Sequence, residues 1–286
     1  MPYVQYLFCC VMILTSTVFG APAQHRYGKS FSQDYSEIEQ LLIKEDQFEL
    51  ANLARELRLK NPYPKGSDQY QIWWEQSQFN VPILILSSLF LDTMCQRENI
   101  KTILFSQRDC YHWIKIFKKL FPNYRSIDFM TSRFVYYNPT LEYIQYVRSF
   151  CQDKFIVVDV NGSGKSCLTF FRAHFHFTPL HLAIVRETTL LPGIIHENLL
   201  PDSYHNIEPV NFAPFGRLRS FNAAGAVRFP LEYSIDLIAP AIKCVDHAIE
   251  LLDANHSRVF DQRAINILLK ALYEYSPVLT PYLIGT

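Results

Sequence analysis

Between Asp159 and Ser166 the chain reads DVNGSGKS, directly behind the apolar run Phe155–Val158. These are residue types that hold a phosphate. A glycine-rich turn that opens a helix aims backbone N–H groups at an anion, and the helix dipole favours negative charge there. Asn161, Gly162 and Gly164 suit such a turn, Ser163 and Ser166 add hydroxyl donors, and Lys165 adds a cation. Asp159 has the opposite sign. It can accept ribose hydroxyls, and beside a polyphosphate it needs an intervening cation, for which Mg2+ is the candidate. No resident cofactor is otherwise readable.

Two further polar turns follow apolar runs. Ser106-Gln107-Arg108-Asp109 follows KTILF, and Ser132-Arg133 follows IDFMT. Arg108 can meet a pyrophosphate or another anion bidentately. Asp109 has a local alternative, either capping the helix that begins at Cys110 or pairing with Arg108. Arg133 can bind ligand or pair with Asp109 or Asp159.

The elements that must position these turns are short. Lys101–Phe105, the IDFMT segment within Ser126–Tyr137, Phe155–Asp159 and His181–Val185 read as strands. Cys110–Leu120, Leu141–Phe150 and a stretch from Cys167 read as the helices between them. Such alternation predicts a parallel sheet with crossover helices. In an open parallel sheet, ligands bind outside the carboxyl ends of the strands, where all three turns are expected. Helical periodicity extends the chain on both sides, over Ser36–Leu59, Trp73–Cys95, Ile235–Leu252 and Gln262–Tyr275. Leu191–Gly225 reads as loop. The expected organisation is a signal or anchor over 1–23, a helical extension over 24–100, and an α/β domain with C-terminal helices over 101–286.

Three phosphate-binding patterns compete for the central motif. The P-loop, GxxxxGK[ST], matches at Gly164-Lys165-Ser166, but Asp159 stands where its first glycine belongs. The dehalogenase pattern DxDGT fails because its second, acid–base Asp is Asn161. With Asp159 kept, FIVVDVNGSGKS resembles the phosphoribosyl-pyrophosphate motif of the phosphoribosyltransferases: an apolar strand, an acidic pair, then a Gly- and Ser/Thr-rich loop at a helix start. ILFSQRDCYHW and IDFMTSR fall where that family has its first two strands, and LHLAIV where it has the strand after the motif. The same segments resemble a module of large-virus and bacterial polysaccharide-associated open reading frames, with an apolar strand ending in S/A-x-R-D, a strand ending in S-R, and V-D-x-x-G-[ST]-G.

The resemblance implies a phosphoribosyltransferase-like fold with helical additions at both ends. It also implies catalytic roles for Asp159 and Arg108. Asp109, Ser132, Arg133, Asn161, Gly162, Ser163, Gly164, Lys165 and Ser166 would contact the ligand. Two departures count against turnover. The acid pair is Val158-Asp159, and Gly162 stands where some family members carry a general base. Transfer on a phosphorylated ribose, binding without turnover, and an interaction protein that retains only the fold all stay open. A P-loop nucleotide enzyme is third.

Composition narrows the setting. The 286 residues are 49% hydrophobic, enough for one large domain or two small ones. Lys and Arg total 27 and Asp and Glu total 27, so no basic excess argues for bulk nucleic-acid binding. Leu7–Phe19 is apolar and uncharged, with small residues after it at Gly20, Ala21 and Ala23, as in a secretory signal. A secreted or lumenal location, with no membrane span after the N-terminus, is the expectation. The sequons Asn161-Gly162-Ser163 and Asn255-His256-Ser257 fit that route, although the first lies inside the phosphate loop. Beyond the signal, Cys95, Cys110, Cys151, Cys167 and Cys244 have no metal-ligand spacing and read as buried thiols or one or two disulfides. His174 and His176 alternate as on a strand, without a carboxylate to complete a metal set, so no metal site is expected.

Overall fold

The computed structural model describes residues 35–185, 196–200 (backbone), 211–231 and 234–252. The signal-like segment, the expected helix Gln262–Tyr275 and the second sequon lie outside them.

The expected helix Ser36–Leu59 is two helices, α1 (Glu37–Lys44) and α2 (Phe48–Leu59). Asp46 separates them with φ of 60°. Asp tolerates the left-handed region better than most residues, so the chain turns at this position. Ser36 opens α1 with a capping box: its Oγ accepts from the Glu39 amide at 3.1 Å, and its own amide donates to Glu39 Oε2 at 2.8 Å. The fully buried Glu39 carboxylate also receives two bonds from Arg58 of α2, at 2.7 and 2.9 Å. This buried, bidentate pair fixes the angle between the two helices.

One continuous helix then runs from Asp68 to Arg97 as α3 (Asp68–Glu75), a π-helical turn (Gln76–Asn80) and α4 (Val81–Arg97). Pro82 lies just past the wide turn. A proline has no N–H, and its ring would clash with the carbonyl four residues back; widening the preceding turn makes room for it. The helix is long and apolar enough to cross a membrane, yet 83% of its most apolar window is buried inside the protein. Its apolar surface is covered by this chain's own core.

The sheet has five parallel strands in the order β2-β1-β3-β4-β5. They are β1 (Thr102–Ser106), β2 (Arg125–Phe129), β3 (Phe155–Asn161), β4 (Leu180–Val185) and β5 (His196–Leu200). β1 is fully buried and β3 and β4 nearly so because both faces are covered, so they read as continuous apolar runs. From β1 the chain steps outward through α5 (Tyr111–Leu120) to β2. It then returns across β1 through α6 (Arg133–Tyr137) and α7 (Leu141–Arg148) to β3, and steps the other way through α8 (Lys165–Phe175) to β4. Crossovers of one hand that step in opposite directions put their helices on opposite faces. Accordingly, Ile103, Phe105, Ile156 and Val158 pack with α1, α2, α4, α5 and α9 (Ile235–Leu251). Leu104, Phe129, Phe155 and Val157 pack on the other face with α6, α7 and α8. Helices 37–97 and the sheet therefore share one core.

Three local expectations change. The strand expected as IDFMT spans Arg125–Phe129 instead, and Arg133–Tyr137 is a helix capped by Ser132. His174 lies in α8 and His176 ends it with φ of 60°, so the two are not strand neighbours. The stretch read as loop holds β5 and, with the residues after it, an antiparallel hairpin of β6 (Leu218–Asn222) and β7 (Gly225–Arg228). Cys95, Cys110, Cys151, Cys167 and Cys244 are free thiols, and all but Cys151 are buried.

Candidate functional site

The strand order reverses between β1 and β3, so the carboxyl ends of these two strands flank a topological switch point. Four of the five expected acidic and basic side chains sit on the segments that leave it: Arg108 and Asp109 after β1, Asp159 near the end of β3, and Lys165 at the start of α8.

The loop after β3 is three residues long, Gly162 to Gly164. The Gly162 amide donates to the Val185 carbonyl at 3.1 Å, which extends the β3–β4 ladder by one step. Gly162 and Gly164 have φ of 142° and 65°, values that side-chain-bearing residues rarely adopt. Gly164 is also pressed against β4. A β-carbon there would stand 2.8 Å from the ring of His181, which is fully buried. Gly164 occupies the cap position of α8 without a side-chain capping bond. Ser163 Oγ instead accepts from the Lys165 amide at 3.3 Å. Among the described residues, the amides of Ser163, Gly164, Ser166 and Cys167 make no backbone hydrogen bond. A first helical turn with open amides is the arrangement that binds anions. α8 begins at Lys165, two residues earlier than expected, because the turn is this tight. Lys165 is exposed.

Val158 and Asp159 differ in role. Val158 is fully buried in the core beneath α5. Asp159 still pairs with Ala183 in the ladder, is half-buried, and accepts from the Val160 amide at 2.9 Å. Its charge is felt on both sides of the sheet. Burial first, and then the charges of Asp159, Asp109 and Asp128, hold the Cys110 thiol well above its ordinary range. Burial first, with Asp159 adding to it, pushes Cys167 up to about 12. Buried and shifted this way, these are inert thiols. No group of three or more His, Cys, Asp or Glu among the described residues is disposed to hold a metal ion. Asp159 fits Mg2+ only in the manner of a single carboxylate that shares the ion with ligand phosphates.

Arg108 has φ of 84°, a value rare for a residue with a side chain. Its Nε lies 2.9 Å from Asp109 Oδ1, and its guanidinium lies 5.1 Å from the Phe212 ring centre. Asp109 therefore pairs with Arg108, and Cys110 occupies the cap position of α5 with no side-chain cap. Both side chains are largely covered, with Arg108 16% and Asp109 20% exposed.

Ser132 has a structural task. Its Oγ donates to the Leu218 carbonyl at 2.6 Å and accepts from the Val135 amide at 3.4 Å, which ties α6 to the hairpin. Arg133 is exposed at the start of α6, and Asn161 closes β3, half-buried.

Several residues at this edge escaped the sequence reading. Gln107 Nε2 donates to Asp128 Oδ2 at 2.9 Å, and Arg228 of the hairpin donates to Gln107 Oε1. Arg228 also donates to the Gly216 carbonyl at 3.0 Å. Tyr137 Oη lies 2.9 Å from Ser166 Oγ in the first turn of α8. Gln107 and Asp128 stand in the very turn and strand quoted above and could have been included with them. Arg228 had no local signal. Compared with known proteins, the chain matches no family model and no curated sequence, so its function is argued from this edge.

Proposed function

We propose that the protein binds a phosphorylated ribose or nucleotide at the carboxyl edge of the sheet, between β1 and β3, in the manner of a phosphoribosyltransferase. The observation that carries this is the three-residue turn Gly162–Gly164, whose two left-handed glycines open α8 at the switch point, with the amides of Ser163, Gly164, Ser166 and Cys167 making no backbone hydrogen bond among the described residues. The amides of Ser163, Gly164 and Ser166 hold the phosphate, with Ser166 and Lys165 beside it. Asp159 accepts hydroxyls of the ribose. Arg108, held by Asp109 and Phe212, faces a second anionic group such as a pyrophosphate, with Mg2+ shared between phosphates and Asp159.

Binding without turnover is the form of this reading that Val158 favours. Its side chain belongs to the core, so one carboxylate stands where the phosphoribosyltransferase motif has two. The P-loop reading is weaker on the same ground. Asp159 is a paired strand residue, which leaves only three loop residues to wrap a triphosphate.

Thermal unfolding of the full chain with Mg2+ tests the proposal against phosphoribosyl pyrophosphate, ribose 5-phosphate, ATP and inorganic phosphate. A ligand that binds only the folded state raises its melting temperature. The expected result is a rise with phosphoribosyl pyrophosphate that Asp159→Ala and Lys165→Ala both diminish. A rise with ATP alone would restore the P-loop reading. No rise with any of the four would leave an interaction protein that retains the fold.

A further inference from the structure

Beside the proposed phosphate loop stands a group of rings that the core does not use. On α6, Phe134 is 45% exposed and Tyr137 is 65% exposed. Large apolar side chains this open, on a five-residue helix beside a candidate ligand site, are informative as a cluster rather than singly. They are also held in place. Tyr137 reaches Ser166 through its hydroxyl at 2.9 Å, so its ring stands against the helix turn whose amides are open. Phe134 packs on Phe229, just past β7, with ring centres 5.0 Å apart and planes at 57°. Arg219 lies 5.7 Å from the Phe229 ring centre. The start of α6 is fastened to the hairpin through Ser132. Buried Val135 and Tyr136 anchor the helix from beneath, so the two outer rings project from a fixed base.

We propose that Tyr137 and Phe134 form a stacking wall for a planar ring carried by the phosphorylated ligand, so that the site takes a nucleotide rather than a sugar phosphate. This rests on the phosphate-binding reading above. An aromatic face stacks on any nucleobase, with little demand for sequence-like specificity, and a nearby guanidinium strengthens such contacts. The Tyr137–Ser166 bond sets the wall beside the phosphate subsite, so one ligand can reach both. A sugar phosphate would fill the loop and leave both rings in water.

The test is calorimetric titration of the full chain with AMP, ribose 5-phosphate and inorganic phosphate. It uses the native protein, Tyr137→Phe, and the double variant Phe134→Ala/Tyr137→Ala. The expected result is that AMP binds about tenfold or more tightly than ribose 5-phosphate. The double variant removes that preference, bringing AMP and ribose 5-phosphate to equal affinity, while Tyr137→Phe, which keeps the ring, retains most of it. Both altered side chains are exposed, and a melting curve of each variant checks that the fold is kept. Equal binding of AMP and ribose 5-phosphate by the native protein, or a preference that survives in the double variant, overturns the stacking wall and spares the phosphate loop. Failure of all three ligands to bind the native protein overturns the loop and the wall together.

Discussion

The imidazole of His181 lies directly beneath Gly164, 2.8 Å from the point where a β-carbon on that residue would stand. The turn that opens α8 thus rests on a buried ring of the neighbouring strand, and only a residue without a side chain fits between them. Gly164 also has φ of 65°, so an added methyl group meets strain and a clash at once. Gly164→Ala is expected to cost on the order of 3 kcal/mol in urea unfolding. The steric part belongs to His181. Combining Gly164→Ala with His181→Ala should therefore cost less than the sum of the two single changes. Strict additivity would mean that the two groups do not meet as described.

Glu75 makes stability fall as pH rises. Its side chain is 3% exposed, and burial pushes its carboxyl from 4.5 up to about 7, against a hydrogen bond from Gln71 that acts to lower it. Because the folded form prefers the proton, the favourable contribution is complete below pH 4.5 and is lost as pH rises to about 7. The shift corresponds to about 3 kcal/mol. Glu75→Gln keeps an acceptor for Gln71 and carries no charge. It should match the native protein near pH 4 and exceed it by about 3 kcal/mol at pH 8. A constant difference across that range would show that Glu75 does not titrate in the window.

His112 acts in the opposite direction. It is fully buried on α5, and neither ring nitrogen has a hydrogen-bond partner among the described residues. Burial, with the nearby Lys115 charge adding to it, lowers its pKa from 6.5 to about 3. The folded form therefore requires the neutral ring. Its contribution is intact above pH 6.5 and declines as pH falls toward 3, by about 2 kcal/mol at pH 5. His112→Leu removes two unsatisfied polar atoms as well as the titration. Denaturant unfolding should show this variant more stable than the native protein by about 1–2 kcal/mol at pH 7, with the gap widening on acidification. A gap that narrows with acid would place the proton elsewhere.

Where the sequence was legible, the reason was local. β1, β3 and β4 are covered on both faces, so each reads as an unbroken apolar run, and the glycines after β3 mark the turn directly. The alternation of strand and helix then implied a parallel sheet and put Arg108, Asp159 and the loop on one edge. What was not legible depends on distant partners. Helical periodicity persists on both sides of Asp46, so the break between α1 and α2 leaves only a charged tripeptide as its trace. Arg133–Tyr137 is too short and too aromatic to separate from a strand end until Ser132 is seen to cap it. The hairpin strands are five and four residues long, and their order comes from contacts with α6, α7 and the turn after β1. Gln107 and Arg228 meet across 121 positions, which no window along the chain could reveal.

That hairpin is hinged on one close backbone approach. At Gly216 an added β-carbon would stand 1.9 Å from the Phe229 carbonyl oxygen and 2.7 Å from that of Pro230. Both are main-chain atoms, so no rotamer change can relieve the overlap. Beyond this hinge the hairpin is fastened by Ser132 to Leu218, by Thr140 to the Phe221 carbonyl at 2.5 Å, and by Arg228 to Gln107. Tyr146 stacks on Phe221 with ring centres 4.9 Å apart. Gly216→Ala should therefore force the two chain segments apart at the base and loosen the fastenings above it. Gly216 and Phe229 are not members of the sheet core on the α4–α5–α9 side, which should stay intact. Hydrogen exchange should accelerate across 217–229 while β1, β3 and β4 keep native protection. Because Phe229 supports Phe134, the same variant should weaken AMP binding more than ribose 5-phosphate binding. Native exchange rates across 217–229 in the variant would mean that the hairpin tolerates the methyl group and is not held at Gly216.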